Sequence, residues 1–196
     1  MNDDLMEKVP PVTMLILLTN AVIFVLSETV MKWLIPVGLM DYDLVSQGQI
    51  YRLVSAAFLH DGIEHIIGNM LLLFAMGGMV ETAAGSFKYA AIYLISAIAG
   101  NACSFYFESA TGLRYASLGA SGAVYGILGA LIVMAVRKVR GIRVVRSRIP
   151  LAVIYCIYTS FAMPNIDYAA HIGGMLAGML LSYILVKPDD ERGLTW

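Results

Sequence analysis

The chain has 196 residues, 59% of them hydrophobic and 14% charged, with a formal net charge of −1 and a mean hydropathy of +0.76. A soluble domain averages about a quarter charged residues and under half apolar ones, so this composition excludes an ordinary soluble globule. The charge gives no basic face for nucleic acid.

The N-terminal M-N-D-D-L-M-E-K lacks the basic flank and cleavage site of a signal peptide, so the first apolar run is expected to stay in the chain. A transmembrane helix needs about 20 mostly apolar residues. Six runs qualify, at roughly 11–31, 65–82, 87–107, 119–136, 149–164 and 167–186. The predicted fold is an all-α, polytopic membrane bundle of six transmembrane helices, one domain over 11–186 with short tails at 1–10 and 187–196. The breaks differ in chemistry: Met40–Arg52 and Glu108–Arg114 are polar, Arg137–Arg148 holds six basic residues and no acid, and Pro164-Asn165 is a turn signal. Cys103 and Cys156 both lie in apolar runs and read as packing residues, with no CxxC and no disulfide framework.

Short loops rich in Lys and Arg stay cytoplasmic. Fixing Arg137–Arg148 inside places both termini inside. Lys8, Lys88, the six loop residues, Lys187 and Arg192 then lie inside, ten in all, against Lys32, Arg52 and Arg114 outside. In this topology spans two, four and six all begin at the outer face of the cell membrane, the second with His65 and Asn69, the fourth with Gly119 and Ser121, the sixth with Asp167 and His171. At 1.5 Å per residue these polar groups lie level with one another, about 5–10 Å below the outer interface.

Polar groups inside membrane helices are costly, so function is the first hypothesis for them. Each has a plainer reading taken singly. Ser121 reads as a small packing residue and His171 as an interhelical hydrogen-bonding group. His65 and Asn69, four apart on one helix face, read as glue between helices, Tyr125 as part of an aromatic belt, and Asp167 as an N-cap.

Together they suit acyl transfer. A serine hydroxyl needs a base to take its proton. No lysine lies buried among the spans, which leaves histidine, and His171 has the right depth. The oxyanion needs aimed donors. The Asn69 amide, the His65 imidazole and the Ser121 N–H at a helix start can supply them, with Gly119 and Gly122 leaving room for the backbone to turn. Metal chemistry fits poorly, because His60, His65 and His171 form no HExxH and no cysteine pair stands at ligand spacing. Gly122, Gly126 and Gly129 form a small-residue stripe on the fourth span, and His171, Gly174 and Gly178 form one on the sixth. Such stripes let membrane helices approach closely, so these two are expected to face each other and set the Ser121–His171 separation, with Leu180 facing elsewhere.

G-A-S-G-A-V-Y-G, from Gly119 to Gly126, resembles the GxSGxxxG signature of rhomboid intramembrane serine proteases. H-D-G-I-E-H-I-I-G-N, from His60 to Asn69, resembles their HxxxxHxxxN motif, and D-Y-A-A-H-I-G-G-M-L-A-G, from Asp167 to Gly178, their AHxxGxxxG helix. The likeness runs from about Gln49 to Val186. It implies a Ser–His dyad without a third member: Ser121 as nucleophile, His171 as general base, His65 and Asn69 at the oxyanion, Tyr125 packed on the His171 imidazole, and Gly119 shaping the turn before the serine. It further implies transmembrane protein substrates cut near the outer face of the lipid bilayer, often beside small residues, with no cofactor, no metal and no nucleic-acid partner. The family's external loop commonly carries Trp-Arg where this chain has Tyr51-Arg52. Without an added soluble domain or seventh span, the chain is expected to be the minimal, prokaryotic-type core.

Two other functions make distinct demands. A catalytically silent client-binding relative would be signalled by loss of the serine or histidine, and both are present. A transporter would show inverted repeats around a midplane site, whereas here the polar cluster lies near one face.

Overall fold

Helix α1, Pro11–Glu28, starts with proline where the missing N–H is harmless. Its buried residues are Thr13, Ile16, Asn20 and Ser27, while Leu15, Leu18, Val22 and Val25 are all more than half exposed. Polar residues inside and aliphatic ones outside is the pattern of a helix solvated by lipid. The computed structural model describes residues 10–139, 142, 149–162 and 166–188. Most of both predicted tails, most of the basic loop and the Pro164-Asn165 turn lie outside the described residues.

After α1 come three short helices, α2 (Leu34–Gly38), α3 (Tyr42–Ser46) and α4 (Arg52–Ser55), then a 3-10 turn at Ala56–Phe58. Arg52 holds this segment together. It is buried, and it donates to the carbonyls of Pro36 (3.1 Å) and Leu39 (2.7 Å) and to Gln49 Oε1 (2.8 Å). A two-way backbone bridge between Met40 and Ser117 ties the segment to the strand of chain that enters α7.

The long helices follow: α5 (Ile63–Ala84), α6 (Ser86–Thr111), α7 (Ser121–Val136), α8 (Ile149–Ala162) and α9 (Tyr168–Leu185). With α1, these stand where the six apolar runs were predicted. α1, α5, α6 and α9 are long and apolar enough to cross a membrane, while α7 and α8 are shorter. Among the described residues the structure is helical with no strand, and the all-α membrane bundle is as expected. The stretches read as polar breaks differ in detail: Met40–Arg52 contains α3 and the start of α4, and α6 runs on through Glu108 to Thr111.

Gly85, at φ +87°, joins α5 to α6 in one residue. Beside it Glu81 anchors the start of α1. Its carboxylate accepts from the Val12 N–H (2.9 Å), the Thr13 N–H (2.7 Å), the Thr13 hydroxyl (2.8 Å) and the Ser86 hydroxyl (2.7 Å). A carboxylate on the free N–H groups of a helix start meets both their hydrogen-bonding need and the helix dipole. At the other end of the bundle Asp167 caps α9 through the Ala170 N–H (2.9 Å) and accepts from the Ser104 hydroxyl of α6 (2.5 Å).

The centre of the bundle is α7, most of whose residues are buried. It packs against α6 and α9 with almost no side chain between the backbones. A Cβ added to Gly174 would overlap the Gly122 carbonyl, one on Gly178 the Gly126 carbonyl, and one on Gly129 the Met175 carbonyl. Gly100 of α6 completes the contact, since its Cβ would lie 2.7 Å from the Ala170 oxygen. The two glycine stripes therefore meet. In lipid, such backbone approach supplies dispersion contact that no hydrophobic effect would.

Candidate active site

Ser121 is the first residue of α7 and is half-buried. The turn before it depends on Gly119, whose φ of +129° suits glycine and strains any L side chain. Space imposes the same choice. A Cβ at Gly119 would lie 2.7 Å from His65 Nε2 and 3.8 Å from Asn69 Nδ2. The turn is also clamped from the segment preceding α5: the Gly119 N–H donates to the Ala56 carbonyl (2.9 Å), and the Ala120 N–H points at His60 Nε2 (3.4 Å).

His65 and Asn69 are one turn apart on α5. Asn69 is buried, and one of its amide hydrogens goes to the His65 carbonyl (3.1 Å). A primary amide has a second N–H to give. His65 is about a quarter exposed, and its Nδ1 meets the Asp61 carboxylate at 2.5 Å. His60 and His65 stand edge to face, ring centroids 5.1 Å apart.

On the far side of Ser121, Gly122 lies against α9 at Ala170 and Gly174, the neighbours of His171 along that helix. His171 is buried, and its imidazole stacks on the Tyr125 ring at a centroid distance of 4.1 Å and an interplanar angle of 13°. The Tyr125 hydroxyl continues outward to donate to the Cys156 carbonyl of α8 (2.6 Å). One end of the bundle thus gathers Ser121, His171, Tyr125, Gly119, His65 and Asn69 from α5, α7, α9 and one turn. Gly174 begins the packing contact beneath them and Gly178 continues it a turn further on.

Two residues of this end had no role in the sequence reading. His60 is fully buried, and burial, with the nearby His65 second, pushes its pKa down to about 3, so it is neutral near pH 7 and its Nε2 can accept. Asp61 is largely exposed yet bonded to His65. The signal for both was their place in the same ten-residue motif as His65 and Asn69. Among the described residues no group of three or more His, Cys, Asp or Glu is arranged to hold a metal ion.

The Rhomboid domain pattern matches residues 47–188. Over 185 residues the chain is 34% identical to the rhomboid protease GluP of Bacillus subtilis, covering 91% of this chain and 36% of that protein. It is 29% identical over 188 residues to the putative rhomboid protease YdcA of the same organism, covering 93% and 92% respectively. It is also 32% identical to RHOMBOID-like protein 5 of Arabidopsis thaliana, covering 76% of this chain and 48% of that one. The chain thus spans about a third of GluP, half of the plant protein and nearly all of YdcA. A match over nearly three quarters of the sequence, on a helical bundle with Ser121, His171, His65 and Asn69 at one end, makes this chain a member of the rhomboid family.

Proposed function

We propose that the protein is an intramembrane serine endopeptidase that hydrolyses peptide bonds in or near transmembrane segments of other membrane proteins. The observation that carries this reading is the backbone contact of Gly122 with Gly174 and Ala170, which brings the helix starts bearing Ser121 and His171 side by side. His171 takes the Ser121 proton as the hydroxyl attacks the scissile carbonyl, then returns it to the leaving amine. The carbonyl oxygen, now carrying the charge, is received on the opposite side of Ser121 by the second Asn69 N–H, by His65 and by the Ser121 N–H. Tyr125 restricts the imidazole plane from below. No metal or cofactor takes part.

All six long helices cross the bilayer in this reading, with both termini cytoplasmic and the site opening to the outer face. The 16 residues of α7 span about 24 Å at 1.5 Å per residue, short of the ~30 Å hydrocarbon thickness. That length supports a Ser121 sunk below the interface, reached by water from one side.

The test is cleavage of a purified transmembrane substrate in proteoliposomes by the native chain, Ser121→Ala and His171→Ala. Cleavage by the native chain alone supports the reading. Binding without cleavage by the native chain would instead mark a catalytically silent, client-binding relative. For orientation, with Cys103 and Cys156 replaced, Thr111→Cys should react with an impermeant thiol reagent in intact cells and Gly141→Cys should not. The reverse would turn the site to the cytoplasm.

A further inference from the structure

The His65 ring has two polar ends. Nδ1 meets Asp61 Oδ1 at 2.5 Å, and Nε2 points at the turn before Ser121, 2.7 Å from where a Gly119 side chain would begin. Asp61 stands four residues before His65, on the residue preceding Gly62, which caps α5. The ring is therefore held by its outer nitrogen while its inner nitrogen faces the place assigned to the oxyanion.

We infer that Asp61 is a positioning residue for catalysis, holding His65 by Nδ1 so that the ring can meet the oxyanion with a charged N–H at Nε2. This rests on the proposed oxyanion role of His65. The chemistry is a matter of counting protons. A carboxylate accepts only, so Nδ1 must carry a hydrogen when it bonds to Asp61. A neutral ring with its one proton at Nδ1 would present a lone pair at Nε2, which repels an oxyanion. Only a ring carrying a hydrogen on both nitrogens donates at both, and in that form its bond to the Asp61 carboxylate is charge-assisted. A charged donor is worth roughly twice a neutral one, and its benefit is largest when the negative charge has formed.

Among the described residues, Asp61 is the carboxylate bonded to this ring. Toward His65 the entering turn of α7 presents Gly119 and Ala120, which carry no charge. The neighbouring titratable rings are His60, edge-on at 5.1 Å and neutral, and His171 on α9, and neither brings a negative charge to His65. On α5 itself Glu64 is exposed and Asn69 is uncharged. Because the Asp61 side chain is 68% exposed, solvent weakens its pull, and its loss should matter less than loss of the donor itself.

The experiment compares Asp61→Asn, Asp61→Glu and His65→Ala with the native chain on one transmembrane substrate, measuring kcat and KM separately, with thermal unfolding alongside. Asp61→Asn keeps an acceptor for Nδ1 and removes the charge. It should lower kcat about 5- to 50-fold, less than the effect of removing a whole oxyanion donor, with KM within about twofold and an unchanged melting temperature. It should weaken a peptide aldehyde, which forms a tetrahedral adduct with Ser121, more than it weakens the uncleaved substrate. Asp61→Glu should restore most of kcat. If Asp61→Asn retains native kcat while His65→Ala is slow, the inference falls and the oxyanion role of His65 stands. If His65→Ala retains native kcat, the oxyanion role falls and the inference with it. If Asp61→Asn lowers the melting temperature but not kcat, Asp61 serves stability only and the inference is wrong.

Discussion

The phenol ring of Tyr125 lies nearly flat on the imidazole of His171, with centroids 4.1 Å apart and planes 13° from parallel. The two residues come from different helices, α7 and α9, and Tyr125 is one helical turn below Ser121 on the same helix. A ring stacked this way is restrained from swinging out of its plane. Tyr125→Phe keeps the stack and loses the bond to the Cys156 carbonyl, so it should retain activity within about threefold. Tyr125→Ala removes the stack and should cut kcat by about 100-fold, the scale of a 1 Å misplacement of a reacting group. An equal loss in both variants would assign the effect to the hydroxyl, and native activity in both would show that the stack is not needed.

Asn69 is buried with one amide hydrogen committed to the His65 carbonyl. Its remaining N–H is the proposed oxyanion donor. Asn69→Ala should lower kcat by about 10- to 1000-fold with little change in KM, since that bond tightens as charge develops. A change in KM alone would make Asn69 a substrate-binding residue.

Gly178 touches the Gly126 carbonyl so closely that even a methyl group overlaps it. Gly178→Leu must push α9 off α7, and the displacement is transmitted up both helices to His171 and Ser121. Activity should fall strongly and the melting temperature with it. Leu180, 60% exposed, faces away from that seam, and Leu180→Val should change neither. Both readings are made on the same preparation, by substrate cleavage and by thermal unfolding in micelles.

His60 is neutral because burial pushes its pKa down to about 3 from the ordinary 6.5. Between those values the unfolded chain binds a proton that the native chain refuses. This residue therefore makes stability fall as pH drops below about 6.5, and leaves it flat above. His60→Gln removes this titrating group and should lessen the dependence of melting temperature on pH between 6.5 and 4.5. His60→Ala should also leave the buried Ala120 N–H without its acceptor, at about 1–3 kcal/mol, and loosen the turn that carries Ser121. An identical pH dependence in His60→Gln would place the acid sensitivity elsewhere.

What the sequence made legible follows from which interactions are local. Apolar runs of membrane length have few alternatives to a helix, so all six appear within a few residues of their predicted limits. The glycine stripes were readable because residues three and four apart share a helix face, and Gly174 and Gly178 do meet Gly122 and Gly126. The segment between α1 and α5 was not readable. Its helices are four or five residues long, and it is held by Arg52 reaching the carbonyls of Pro36 and Leu39, bonds that no periodicity announces. Glu81 was equally silent: an acid near the end of an apolar run has no local mark of the helix start it receives from residues 12 and 13. The candidate site shows the same division. His65 and Asn69 share a face by spacing alone, whereas the contact of His60 with Ala120 crosses 60 positions and depends on how the turn at Gly119 folds back.

The central claim is that Ser121 is a nucleophile activated by His171. The most direct measurement is labelling of the purified protein with a fluorescent fluorophosphonate, comparing the native chain, Ser121→Ala and His171→Ala at matched folding. The account predicts labelling of the native chain, none of Ser121→Ala and strongly slowed labelling of His171→Ala, because an unassisted hydroxyl attacks phosphorus poorly. Labelling of Ser121→Ala at the native rate, or no labelling of a folded native chain, would contradict it.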